Sequence, residues 1–77
     1  FQKYLRNSDF DIFPIGDNLY VITDIISGEN LFILEEKEYE AINYFNIPTS
    51  LSKVLKSYDD PHFYEQLITN KFILPYG

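Results

Sequence analysis

The feature that most constrains this chain is a change of apolar period at Leu34-Glu35. Upstream, hydrophobic residues fall in short strand-like blocks. Downstream they recur at helical spacing, about every 3.6 residues. Two upstream blocks, Leu19-Tyr-Val-Ile-Thr-Asp-Ile25 and Leu31-Phe-Ile-Leu34, are joined by the turn tetrapeptide Ser27-Gly-Glu-Asn30. An earlier block, Phe10-Asp-Ile-Phe-Pro-Ile15, runs into Gly16-Asp-Asn18, a strong turn signal. Pro14 has no amide hydrogen to give a ladder, so this first strand belongs at a sheet edge or stops near Pro14. Tyr20, Val21, Ile22 and Thr23 are all good strand formers and make the second strand the strongest. The first 34 residues therefore predict a three-stranded antiparallel meander, with residues 1–9 as a flexible tail or an edge lead-in.

Three brief helices follow. Glu35, Glu36 and Glu38 cluster where carboxylates meet the positive end of a helix dipole, and Tyr39, Ile42 and Phe45 supply a buried stripe for a helix over Glu35–Asn46. Pro48 ends it. Thr49 and Ser50 offer a hydroxyl cap to a second helix, whose Leu51, Val54, Leu55 and Tyr58 match the i, i+3, i+4, i+7 template. Asp59-Asp60-Pro61 places a cap before a first-turn proline, the favoured start for a third helix carrying Phe63, Tyr64, Leu67 and Ile68. Asn70 tolerates the left-handed conformation that a helix end needs, so the third helix stops there. Phe72-Ile-Leu74 then packs back on the core. Strands followed by small helices predict an α+β fold, a winged helix-turn-helix with one three-stranded N-terminal sheet followed by three helices.

At 77 residues the chain reads as one domain spanning 1–77, near the lower limit for a self-sufficient core. Its apolar content of 45% and aromatic content of 18% are ample for folding. The absence of cysteine excludes disulfides, thiolate metal sites and a cysteine nucleophile, and fits a reducing cytoplasm. No apolar run approaches the ~20 residues needed to cross a bilayer. The chain begins at Phe1 and holds no methionine, which reads as a processed or trimmed piece, or one domain of a larger protein. Twelve acids against six Lys and Arg give a net charge of −6 with no basic run. Phosphate backbones favour clustered cations, so nucleic acid binding is disfavoured.

Catalysis needs a nucleophile, a base and an orienting group within reach of one another. The single histidine, His62, falls in a predicted first helical turn, where a solvated surface role suffices. Glu35, Glu36, Glu38 and Glu40 lack the alternating oxygen ligands and central glycine of a calcium loop. Asp59-Asp60 reads as a cap, and Gly16 and Gly28 as isolated turn glycines. We expect no enzyme activity, no metal and no cofactor in this segment. The apolar excess lies elsewhere. Along the third strand Leu31 and Ile33 point to one face and Phe32 and Leu34 to the other; one pair enters the core and the other is free to line a surface groove. The third helix shows the same surplus of apolar positions.

This pattern resembles the PqqD-like RiPP recognition element across Phe10 to Leu74. The resemblance rests on the meander ending in Leu31-Phe-Ile-Leu34 followed by Glu35-Glu-Lys-Glu-Tyr-Glu-Ala-Ile42. It continues through Thr49-Ser-Leu-Ser-Lys-Val-Leu55 and closes with Phe63-Tyr-Glu-Gln-Leu-Ile-Thr-Asn-Lys-Phe-Ile73. Asn70-Lys71 stands where that family usually has glycine. The resemblance implies a non-catalytic module that binds the leader segment of a ribosomally made precursor peptide. The leader would add as an antiparallel strand to the third strand, beside the third helix. Leu31, Phe32, Ile33 and Leu34 match the guest-pairing strand; Tyr64, Leu67, Ile68 and Lys71 match the exposed or semi-exposed side of the third helix. The implied partners are the precursor leader peptide and a maturation enzyme, fused or in trans, with the module a cytoplasmic monomer that binds neither nucleic acid nor membrane. Two rival readings are a winged-helix regulator, which would need a cationic recognition helix, and a dimerisation domain pairing through the same sheet edge.

Overall fold

A computed structural model describes residues 1–77. In chain order it contains β1 (Lys3–Arg6), β2 (Phe10–Gly16), β3 (Leu19–Asp24), β4 (Asn30–Glu35), α1 (Glu36–Asn43), a 3-10 turn (Tyr44–Asn46), β5 (Thr49–Ser50), α2 (Leu51–Ser57), α3 (Pro61–Thr69) and β6 (Ile73–Tyr76). The class is α+β, with three α-helices. The strands form two antiparallel sheets of three strands each, ordered β2-β3-β4 and β5-β1-β6.

The meander is the first of these sheets. Ile12, Ile22 and Phe32 lie in one row across it, and Phe13, Val21 and Ile33 in the next. Asn18 takes φ 59° in the β2–β3 turn, a left-handed position that asparagine tolerates better than most residues. β3 ends at Asp24, short of the expected Ile25. The Asp24 carboxylate accepts from the amides of Ile26 (2.8 Å) and Ser27 (3.1 Å), which bends the chain out of the ladder and leaves Ile25 and Ile26 exposed in the turn. Gly28, at φ 73°, completes the turn by donating to the Asp24 carbonyl at 2.8 Å.

The second sheet departs from expectation. Instead of a tail or lead-in, the first residues supply β1, its central strand. β1 pairs with β6 from Lys3↔Tyr76 to Arg6↔Ile73, and with β5 through Lys3↔Ser50 and Tyr4↔Thr49. Asn7 continues the join, its amide donating to the Phe72 carbonyl and its side chain to the Lys71 carbonyl, both at 2.9 Å. Phe72 and Ile73 pack into the core as expected, but Leu74 is exposed, and Ile73 also opens a strand.

α1 begins where the period changes. Glu38 reaches back to accept from the Glu35 amide at 2.8 Å, satisfying a donor that the helix itself leaves free. The α-helix closes at Asn43 and a 3-10 turn carries the chain on to Asn46. Ala41, Ile42 and Phe45 are buried, while Tyr39 stacks on Tyr20 of β3 with ring centroids 3.7 Å apart. The expected hydroxyl cap on α2 is absent. Thr49 is buried and its hydroxyl donates backwards, between the carbonyls of Tyr44 (2.7 Å) and Ile47 (2.8 Å). It satisfies the acceptors left by the preceding 3-10 turn. Asp60 does cap α3, accepting from Phe63 N at 3.2 Å ahead of Pro61.

α3 ends in a Schellman arrangement: the Phe72 amide donates to the Leu67 carbonyl and the Lys71 amide to the Ile68 carbonyl. The left-handed residue is Lys71 (φ 61°), while Asn70, at φ −85°, donates its side-chain amide to the Gln66 carbonyl. The expectation placed that conformation one residue too early. The core gathers Ile22, Leu34, Ala41, Ile42, Phe45, Val54, Phe63, Tyr64, Leu67, Phe72 and Ile73, so every layer contributes to it.

Candidate functional site

β4 borders only β3, so every second residue along it turns its amide and carbonyl away from the sheet. The two faces of β4 are now distinct. Leu34 is fully buried, and Phe32 lies half-buried with its ring 6.0 Å from that of Phe72. Leu31 (41% exposed) and Ile33 (59%) point the other way. Phe32 and Leu34 are thus the core pair, and they hold the strand in place while the opposite side chains stay free.

Four sheet edges are open, and they are not equivalent. β2 carries Pro14 and a bulge between Pro14 and Gly16; β6 carries Pro75; β5 is two residues long. Prolines, bulges and short length are the usual means of blunting an edge. β4 has a bulge only at its start, where the register passes from Ile22↔Phe32 to Thr23↔Asn30 and leaves Leu31 unpaired. From Phe32 to Glu35 it is regular and free of proline, whereas the regular stretch of β2 that is equally long, Phe10–Phe13, runs directly into Pro14 and its bulge.

The helix-three residues matched by resemblance do not converge on this edge. Tyr64 (1% exposed) and Leu67 are core residues, and the Tyr64 hydroxyl donates to the carbonyls of Tyr58 (2.8 Å) and Val54 (3.1 Å). Burial, followed by the neighbouring Tyr58 and Asp60, pushes the Tyr64 pKa up to about 12. Ile68 lines a groove of about 280 Å³ together with Leu51, Leu55, Pro61, Tyr64 and Glu65, between α2 and α3 and without any β4 residue. Lys71 is exposed at the end of α3. What joins that end to β4 is the next residue, Phe72, packed against Phe32 and, edge to face at 5.1 Å, against Phe10.

Residues outside the expected set complete the outer surface. Phe13 and Ile33 flank Val21, which is 5% exposed although it stands apart from the main core, and Ile15 and Leu19 are exposed nearby. A signal for this face was present in β2, where Ile12 and Phe13 are adjacent and both strand parities are therefore apolar. His62 is exposed in the first turn of α3. No three His, Cys, Asp or Glu side chains converge in a metal-binding arrangement, and no helix is long and apolar enough to cross a membrane. Neither a family model nor a curated protein matches the chain.

Proposed function

We propose that the chain is a PqqD-like recognition module, of winged-helix type, that captures the leader of a ribosomally made precursor peptide as an extra antiparallel strand on β4. It performs no chemistry itself and presents the core of the precursor to a maturation enzyme, fused or in trans, in the cytoplasm. The observation that carries this reading is the contrast among the sheet edges: β4 is the one edge strand longer than two residues that holds no proline, and it is anchored inward by Phe32 and Leu34 and apolar outward at Ile33.

Strand addition is a recurrent mode of peptide recognition in which main-chain bonds give register and alternate side chains give specificity. Each backbone hydrogen bond contributes only about 0.5–1.5 kcal/mol net. A four-residue ladder therefore does not offset the entropy of association unaided. Guest side chains packing over Leu31 and Ile33 supply the rest. Within the resemblance-based set, Leu31 and Ile33 are the contact residues, Phe32 and Leu34 fix the strand from below, and Tyr64 and Leu67 support the core. Ile68 faces α2 and Lys71 is exposed at the end of α3, so neither belongs to the β4 contact surface.

The test is an NMR titration of labelled protein with leader segments of precursor peptides encoded near its gene. Shifts concentrated at Leu31–Glu35, with slowed amide exchange along β4, are the expected result. Shifts on adding a nucleic acid duplex and none with any leader would move the chain to the regulator class.

A further inference from the structure

The charge on this chain is segregated. Seven of its twelve acids (Asp9, Asp11, Asp17, Asp24, Glu29, Glu35 and Glu36) and none of its six Lys and Arg fall between residues 7 and 36. These residues comprise the β2-β3-β4 sheet with its turns and the first residue of α1. Among the seven, Asp11 alone has a cationic partner, Arg6 at 3.5 Å. The β4 edge is bracketed at both ends: Glu29 stands exposed just before it and Glu35 exposed at its last residue. Six residues of strand separate them by about 20 Å. Between the two carboxylates lie the exposed Leu31 and Ile33.

We propose that the guest taken by β4 is a cationic amphipathic strand. It carries apolar side chains at alternate positions, over Leu31 and Ile33, and Lys or Arg on both flanks. This rests on the strand-addition reading and adds the chemistry of the ligand to it. An antiparallel guest directs every second side chain onto the outer face, where it continues the row formed by Phe13, Val21 and Ile33. Its flanks then come within a Debye length, about 10 Å at 0.1 M salt, of Glu29 and Glu35. The same carboxylates select against the nearest competitor, a second copy of this chain. Pairing two β4 edges antiparallel would bring Glu29 of one copy towards Glu35 of the other, and like charges across a ladder repel. Complementary charge of this kind raises association rate and discriminates among partners more than it adds affinity.

Three synthetic peptides test the proposal. All share a six-residue core of alternating valine and threonine and differ only in bearing lysine, glutamine or glutamate pairs on both flanks. Affinity is measured at low salt and at about 0.5 M salt, where screening removes interactions beyond ~3–5 Å, and the site is located by amide shifts. The lysine peptide is expected to bind at β4 at least about tenfold more tightly than the glutamate peptide, with glutamine between. High salt, or the double variant Glu29→Gln with Glu35→Gln, should reduce that ratio to below about threefold. The glutamine at 35 keeps an amide-sized side chain and an acceptor beside the start of α1, and an unchanged melting temperature verifies that the double variant is folded. Equal affinities with shifts at Leu31–Glu35 would overturn the charge preference and leave strand addition standing. Shifts only outside β4, or no binding by any peptide, would overturn strand addition and this inference together.

Discussion

Lys71 holds a left-handed backbone (φ 61°) at the C-terminus of α3, a position where glycine is the usual occupant. A side chain there costs about 1 kcal/mol through contact of its Cβ with the following carbonyl. Lys71→Gly should therefore stabilise the protein by about 0.5–1 kcal/mol and raise its melting temperature by about 2–8 °C. Asn70→Gly should not, because Asn70 sits at φ −85° and loses its bond to the Gln66 carbonyl. Thermal melts of the two variants decide which residue needs the freedom. Tyr64 supplies a second prediction. Its pKa is raised by burial from 10.0 to about 12, so the folded state keeps the phenol proton after the unfolded chain has lost it. The corresponding stability is fully present below pH 10 and is lost as pH rises from about 10 to about 12, on the order of 2–3 kcal/mol in all. Tyr64→Phe should cost about 1 kcal/mol at neutral pH, from its lost hydrogen bonds, and show a shallower decline in alkali. Denaturant unfolding at stepped pH measures both.

At the scale of one element, β4 separates stability from recognition by its two faces. Leu34 is fully buried among core residues, and Leu34→Ala should cost about 2–5 kcal/mol. Ile33, one residue away, is 59% exposed. Ile33→Asp should leave the fold intact, with a stability loss of about 1 kcal/mol or less, yet weaken guest binding by replacing the apolar contact with a carboxylate that the guest's apolar side chains would desolvate. Unfolding midpoints and peptide titration on the same two variants provide the check. If Ile33→Asp unfolded the protein, the outward placement of its side chain would be wrong. A truncation of the Tyr64 ring is a poor probe of binding by comparison. Tyr64→Ala opens a core cavity and should cost about 3–5 kcal/mol, so any loss of affinity would report unfolding.

Across the whole molecule, β1 binds the two halves of the chain together. As the middle strand of β5-β1-β6 it pairs with residues at 49–50 and at 73–76, and Asn7 extends that join to Lys71 and Phe72. Removing residues 1–6 leaves β5 and β6 without their common partner. The expected outcome is a melting temperature lower by about 10 °C or more, with loss of amide protection in β6 as well as at the N-terminus. A change confined to the first residues would mean that β1 is only peripheral to the fold.

The periodicity of the chain determined the meander, the site of the strand-to-helix switch at Leu34-Glu35, and three helices in the right order. Those features rest on side chains two to four residues apart, whose energetics are local and visible in a short window. The Asp60-Pro61 start of α3 was legible for the same reason. The second sheet was not, because Lys3-Tyr-Leu-Arg6 and Thr49-Ser50 have no period of their own and become strands only through distant partners. Nor could spacing decide which face of β4 is buried, since Leu31, Phe32, Ile33 and Leu34 are all apolar. Packing against Phe72 and the helices settled that, sending Phe32 and Leu34 inward. The same packing drew Tyr64 and Leu67 into the core and turned Ile68 towards α2. An all-apolar block and a wide helical stripe satisfy several packings equally well in one dimension, and only the three-dimensional contacts choose among them.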